Sequence, residues 1–352
     1  MFVFPLSLTL MDSLTHIVLG ACIGKVVLPQ KMGKKALILG AIAHSIPDID
    51  AISSFFNTAT QDLVIHRAIS HSLFIAIIFA LLFAAFSYTR YKRTIKFARF
   101  FFPFLLLVGL HDILDTCNNY GTELFAPFSD KRYSFHLLYV ADPLFSIVPL
   151  IAAIFLFIKK NNWRYGKIAA ILGIVVPCTY VSLIGIGKTK VEKALAKNPP
   201  IPNAHFDFLT PTPFNGFLWY GVFSNDSTVY TTYRSTFDQP NYSASYSSYA
   251  INKDLLKPYM EEQDTKNLLE FSEGIYTIEQ KQDTIQFNIP RFGQIMGWQY
   301  ANAPFTFYYY VHPDVNNSLA VQRGRLKGWN KQSMAFFWNR ITGKHPTTTD
   351  HK

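Results

Sequence analysis

Histidine and aspartate residues recur at the ends of four apolar segments of this sequence. The stretches that hold them read MDSLTH, AHSIPDID, IHRAISHS and GLHDILD in chain order. Imidazole and carboxylate groups together are typical ligands of zinc and manganese, whereas calcium prefers oxygen ligands alone. The sequence therefore predicts a divalent-metal site, with zinc as the first choice and manganese as the second. The candidate ligands are His16, Asp48, Asp50, His66, His71, His111 and Asp115.

The spacing within these stretches indicates which residues share one ion. His111 and Asp115 are four residues apart, so on a helix they project from the same face. His44 and Asp48 have the same spacing, but a proline between them predicts a break in the helix. We therefore expect His44 to form a hydrogen bond instead. Asp48 and Asp50 flank one residue, and we expect an extended turn that directs both carboxylates to the same side.

Ionisable groups beside apolar runs need a physical explanation. Each one costs about 2.5–3.5 kcal/mol at the centre of a membrane helix and less near the interface, so such groups are rare and usually functional. A bound cation would neutralise several carboxylates that are buried together. Asp112 lies next to a predicted ligand, and we expect it to orient a ligand histidine.

The elements that must position these residues are helices of membrane length. A bilayer core requires about 20 predominantly apolar residues, and six runs between residues 14 and 187 approach or reach that length. They are Leu14–Leu28, Ala36–Phe56, Ile69–Tyr88, Phe97–Cys117, Val140–Ile158 and Ile168–Gly187. The predicted fold class is mainly α, a polytopic membrane bundle of about six helices followed by a soluble α+β domain. The predicted domains are residues 1–198 and 199–352.

The soluble region has a different composition. The stretches STVYTTYRSTF and IYTIEQKQDTIQFNI are rich in β-branched and aromatic residues and predict strands. Between them, NKDLLKPYMEEQDTKNLLEF predicts a helix that Pro258 interrupts or begins. None of the three cysteines lies in this region, so no disulfide framework or cysteine metal site is expected there.

The distribution of charge predicts the topology. The chain has a formal net charge of +10, yet residues 201–352 contain equal numbers of basic and acidic residues. A nucleic-acid partner is therefore not expected. Lysine and arginine cluster after the first, third and fifth apolar runs, and the positive-inside rule places those loops in the cytoplasm. The His/Asp stretches and the C-terminal domain are then extracytoplasmic, in a multi-pass protein of the inner (plasma) membrane.

The four motifs MDSLTH, SIPDID, HRAISHS and HDILDTCNNYGT, in this order between apolar helices, resemble those of the YdjM-type inner-membrane proteins. That family is regarded as metal-dependent hydrolases and as distantly similar to zinc phospholipase C and the fungal single-strand nucleases. The resemblance covers residues 11–190 and implies His16, Asp48, His66, His71, His111 and Asp115 as ligands. Those soluble enzymes use further ligands, including a chain-terminal amine, so we expect one or two ions here.

The resulting hypothesis is a membrane-bound hydrolase that uses a metal-activated water. Asp50 would bridge ions or accept the proton of the water, as Asp48 also could. Arg67 would neutralise a phosphoryl oxygen, because its fork suits phosphate. The predicted partners are membrane lipids and a lipid-like or envelope phosphoester. Two alternatives stay open: a transporter or metal permease, whose ion site should lie near the bilayer midplane, and a metal-stabilised membrane assembly or partner-binding protein.

Overall fold

The computed structural model of the chain describes residues 6–92, 94–159, 163–281, 284–311 and 328–345. These residues form two compact units. The first consists of Leu6–Phe55 and Ile65–Leu183, and the second of Phe56–Val64 and Ile184–Lys352, apart from the residues outside the described ranges. The second unit therefore includes a short piece of chain that lies between two of the His/Asp stretches.

The first unit is helical. Its helices, in chain order, are α1 (Leu6–Val27), α2 (Lys35–Ser45), α4 (Leu73–Tyr91), α5 (Ala98–Asp115), α6 (Pro143–Ile158) and the first part of α7 (Trp163–Ala196), while the intervening α3 (Ala59–Ile65) is shared with the second unit. A 3-10 helix, Ile46–Phe55, continues directly from α2. All six predicted apolar runs are thus mainly helical in the structure.

Within the described residues, three helices are long and apolar enough to cross a membrane: Lys35–Ser53, Leu73–Tyr91 and Arg164–Ala196. The Ser13–Val27 part of α1 and Pro143–Ile158 are apolar but shorter. A mostly helical fold with several apolar helices is therefore confirmed, whereas a bundle of six membrane helices is not. These two stretches fall below the length of about 20 residues that a bilayer core requires.

Helices α1 and α2 pack at very close range because glycines face each other. A Cβ atom on Gly24 would lie 2.4 Å from the carbonyl oxygen of Ala36, and one on Gly20 would lie 2.4 Å from Cβ of His44. Gly40 of α2 faces both glycines in the same way. Small residues at such spacing allow helix backbones to approach closely in membranes. This contact brings the start of α1 beside the end of α2, where the histidines lie.

The second unit contains two antiparallel sheets. The first has the order β1-β2-β3-β4, formed by His205–Pro211, Leu218–Ser224, Thr228–Ser235 and Tyr246–Ala250. The second has the order β5-β6-β7, formed by Thr277–Lys281, Thr284–Asn288 and Tyr308–Tyr310. The hydrophobic core of this unit includes Trp298 and Phe337, whose ring centroids are 4.5 Å apart.

The helical elements of the second unit are the end of α7, α8 (Gln263–Ser272) and α9 (Lys331–Ile341). The predicted helix before residue 271 is divided: Lys253–Tyr259 is a 3-10 helix that contains Pro258, and α8 follows it. Helix α7 packs on the first sheet, since a Cβ on Gly221 would lie 3.0 Å from a methyl group of Leu195. A C-terminal β-sheet region with helices is confirmed.

Candidate metal centre

Four ligand atoms from three chain segments meet inside the first unit. They belong to Asp48, His71, His111 and Asp115, and all four atoms lie within 4.8 Å of one another. His71 and His111 have no exposed surface, and Asp115 is almost as deeply buried. The 3-10 helix after α2 supplies Asp48, a short 3-10 turn before α4 supplies His71, and the last turn of α5 supplies the other two.

Four of the distances between these atoms match the edges of a metal tetrahedron, and the others are no longer than 4.8 Å. Nε2 of His71 lies 3.3 Å from Oδ2 of Asp115 and 3.5 Å from Oδ1 of Asp48. Nε2 of His111 lies 3.6 Å from each of the same two oxygens. A tetrahedral zinc ion with bonds of about 2.0–2.2 Å separates its ligand atoms by about 3.3–3.6 Å. The four residues therefore fit a divalent ion of zinc's size.

The lack of hydrogen bonds to these atoms also indicates a cation site. Among the described residues, Nε2 of His71 and both ring nitrogens of His111 have no hydrogen-bond partner. Oδ2 of Asp115 accepts no hydrogen bond there either, although Nε of Arg67 lies 3.2 Å from it. Buried polar atoms without partners are rare because each costs about 1–3 kcal/mol. A cation bound between them would remove that cost.

Asp50 lies on the opposite side of His71 from the four ligand atoms. Its Oδ2 is 3.3 Å from Nδ1 of His71 and accepts hydrogen bonds from the Arg67 backbone N–H and the Ser70 hydroxyl. Its Oδ1 is 3.2 Å from Nδ1 of His66. A carboxylate that holds Nδ1–H leaves Nε2 as the metal-binding nitrogen.

Asp48 and Asp50 do not point the same way, so the expected extended turn is wrong. Ile46–Phe55 is a 3-10 helix with about 120° of rotation per residue, which separates side chains two residues apart. Asp48 consequently reaches Nε2 of His71, whereas Asp50 reaches Nδ1. The proline after α2 ends the α-helix but allows the tighter helix to continue.

The other predicted ligands lie one contact further from the group of four. Nε2 of His16 is 3.3 Å from Oδ1 of Asp115, the oxygen that the other two histidines do not contact. The His16 ring also packs on the ring of His111, with centroids 4.0 Å apart. His66 contacts Asp50 and has about a third of its side chain exposed. The structure therefore places His16 and His66 around the group and not within it.

Arg67 contacts the group directly through its side chain. Its Nε lies 3.2 Å from Oδ2 of Asp115, and its guanidinium carbon is 5.3 Å from the centre of the Tyr120 ring. The Arg67 backbone has a φ of 62°, which costs a non-glycine residue about 1–3 kcal/mol. Asp50 accepts the Arg67 N–H, and Glu123 donates its N–H to the Arg67 carbonyl, so both backbone groups are held in place.

His44 and Asp112 are two further buried polar residues near the group of four. Nδ1 of His44 donates to the carbonyl of Leu107 at 2.6 Å, as expected for a hydrogen-bonding histidine. The His44 ring packs 5.3 Å from that of His16. Asp112 is fully buried. Its carboxylate oxygens have no hydrogen-bond partner among the residues that the structure describes, so the expected hydrogen bond to a ligand histidine is absent there.

A chain of hydroxyl and carboxylate groups positions α1, which carries His16. The hydroxyl of Thr15 lies 2.7 Å from that of Ser146, which donates to the Asp142 carbonyl. The Asp142 side chain caps α6 by accepting the Leu144 N–H, and it also accepts the Tyr180 hydroxyl. Helices α1, α6 and α7 are thereby connected beside the histidine cluster.

Comparison with known proteins agrees with this picture. The family model described as the YdjM inner membrane protein matches residues 11–191, half of the chain. The chain belongs to the YdjM family. The matched region contains all of the His/Asp stretches, and it ends within α7, in the part of that helix that belongs to the second unit. Membrane localisation of this YdjM protein follows from the family and from its apolar helices.

A curated relative is also known. The uncharacterized protein YfhP of Bacillus subtilis (strain 168) is 31% identical over 149 residues, which are 40% of this chain and 45% of YfhP. The chain thus spans less than half the length of that relative. No solved structure matches the chain.

Proposed function

We propose that this YdjM protein is a membrane-embedded, metal-dependent hydrolase that cleaves a phosphoester of a lipid or an envelope intermediate. The observation that carries the proposal is the close spacing of one ligand atom each from Asp48, His71, His111 and Asp115, the last three of which are buried. Two imidazoles and two carboxylates suit zinc first and manganese second. When bound, such an ion supplies Lewis acidity, which acidifies water and polarises a phosphoryl oxygen.

Four residues would bind the ion, and a fifth would orient one of the ligand histidines. Asp48, His71, His111 and Asp115 would hold the ion, and Asp50 would keep the proton of His71 on Nδ1. Asp48 is the most exposed of the four, with a fifth of its side chain accessible, so its side is the open one for substrate. A carboxylate at that opening is placed to accept a proton from water.

Arg67 supports a phosphoester as the substrate. A guanidinium carries five N–H donors in a planar fork, so one side chain can serve both Asp115 and an anionic oxygen. Its burial strengthens the interaction with an anion. With the positive-inside orientation, the site would face the extracytoplasmic side of the inner membrane, where lipid head groups are the nearest phosphoesters.

The test is hydrolysis by the full-length protein in liposomes. We expect the zinc-loaded protein to release the head group or phosphate from a labelled phospholipid, or to cleave bis(p-nitrophenyl) phosphate. His111→Ala should abolish this activity. His205→Ala is the matched control, because His205 lies on β1 and has most of its side chain exposed. A zinc-loaded wild-type protein that cleaves none of these phosphoesters would refute the proposed reaction.

A further inference from the structure

One short piece of chain belongs to the second unit although it lies between two residues of the metal centre. Residues Phe56–Val64 fold with the second unit, whereas Asp50 and His66 belong to the first. This piece contains most of α3, which begins with a capping arrangement: the Thr58 N–H donates to Gln61 Oε1, and the Gln61 N–H donates to the Thr58 hydroxyl.

Thr60 of α3 is held by polar side chains of the second unit. Its hydroxyl donates to Oδ1 of Asp264 and accepts from the amide of Asn267 at 3.2 Å. Oδ2 of Asp264 accepts the hydroxyl of Tyr309 at 2.6 Å. Thr60 has no exposed surface. Helix α8 and strand β7 therefore fix the position of α3 through buried hydrogen bonds.

The two ends of the same piece of chain meet at Asp50. The chain leaves through the residues after Asp50 and returns at His66 and Arg67, and both returning residues contact the Asp50 carboxylate. Asp50 in turn contacts Nδ1 of His71. A continuous path thus leads from Thr60 along α3 to His66, from there to Asp50, and finally to a proposed metal ligand.

We propose that the second unit sets the geometry of the metal centre through this path, with Thr60, Asp264 and Asn267 as positioning residues for Asp50. The proposal rests on the proposed function and gives the C-terminal region a role in it. Residues that orient a metal-binding histidine typically change metal affinity by about 10–100-fold. A change at Thr60 acts through one more step, so we expect the lower end of that range.

The experiment measures zinc affinity of the full-length protein in detergent by competition with a chromogenic chelator. Thr60→Val has nearly the same shape but lacks the hydroxyl, and we expect it to bind zinc about 10-fold more weakly. Thr60→Ser keeps the hydroxyl, so we expect it to bind zinc as tightly as the wild type. The matched control is Thr265→Val: Thr265 is equally buried on α8, and its hydroxyl has no hydrogen-bond partner in the described part of the chain.

The possible outcomes separate this inference from the proposed function. If the wild type binds no zinc, the proposed function itself fails. If the wild type binds zinc and Thr60→Val binds it as tightly as Thr265→Val does, only the positioning role is refuted. Should Thr60→Val fail to fold, Tyr309→Phe decides, because it removes one contact to Asp264 and leaves Thr60 intact. Unchanged zinc affinity in folded Tyr309→Phe would then overturn the inference.

Discussion

Asp115→Asn is expected to lower zinc affinity by more than about 100-fold, beyond the range for residues that only orient a ligand. Asp115 is the residue on which the centre converges: Oδ2 faces His71, His111 and Arg67, and Oδ1 faces His16. The amide is nearly isosteric but neutral, so the variant removes the charge that balances a cation. Zinc-dependent hydrolysis should be lost together with binding.

The measurement for Asp115→Asn is the same chelator competition, with Asp254→Asn as the control. Asp254 has an exposed side chain paired with Lys257 and lies in the second unit, outside the centre. The variant also leaves the buried Arg67 without its carboxylate partner, so its folding should be checked by circular dichroism. Wild-type zinc affinity in a folded Asp115→Asn protein would contradict the proposed ligand set.

Arg67→Met is expected to lower the rate of phosphoester cleavage at saturating zinc by about 10²–10³-fold, the usual loss when one stabilising donor is removed from a transition state. Methionine keeps an unbranched side chain in the buried space but has no charge. Bound zinc should be retained, because Arg67 touches Asp115 and contributes no ligand atom.

The control for Arg67→Met is Arg67→Lys, which keeps the charge but not the planar fork. We expect an intermediate rate from it. A turnover number equal to the wild type in Arg67→Met would show that Arg67 serves only the structure. Loss of zinc together with activity would instead assign Arg67 to the integrity of the site.

Helical periodicity was sufficient to predict part of the centre. His111 and Asp115 are four residues apart within one regular helix, so their common direction follows from helix geometry alone. The spacing of Gly20 and Gly24 is typical of a helix face that another helix can approach closely, but only the structure shows that α2 is this helix. The direction of His111 and Asp115 depends on local geometry alone, which the sequence determines directly.

Residues outside regular helices could not be ranked in this way. Asp48 and Asp50 differ in role because 3-10 geometry turns their side chains in different directions. His66 and His71 differ because His66 lies in the turn after α3, whereas His71 lies in a separate 3-10 turn. The sequence around Asp48 and Asp50 is compatible with either an extended or a helical turn. Only the tertiary contacts with α5 decide which carboxylate reaches the ligand atoms.

The C-terminal region was predictable at the level of strands. The alternation in residues 227–237 corresponds to β3, and that in residues 275–289 corresponds to the hairpin of β5 and β6. The association of α3 with the second unit was not predictable, because it depends on hydrogen bonds from Asp264 and Asn267, which lie about two hundred residues further along the chain.

Metal content tests the central claim most directly. We would purify the full-length protein in detergent without chelators and measure zinc and manganese by elemental mass spectrometry, for the wild type and for His111→Ala. The proposed centre predicts about one divalent ion per chain in the wild type, from the four-ligand geometry of a single zinc site, and its loss in the folded variant. A wild-type protein that holds no divalent ion, and takes up none when zinc is added, would contradict it.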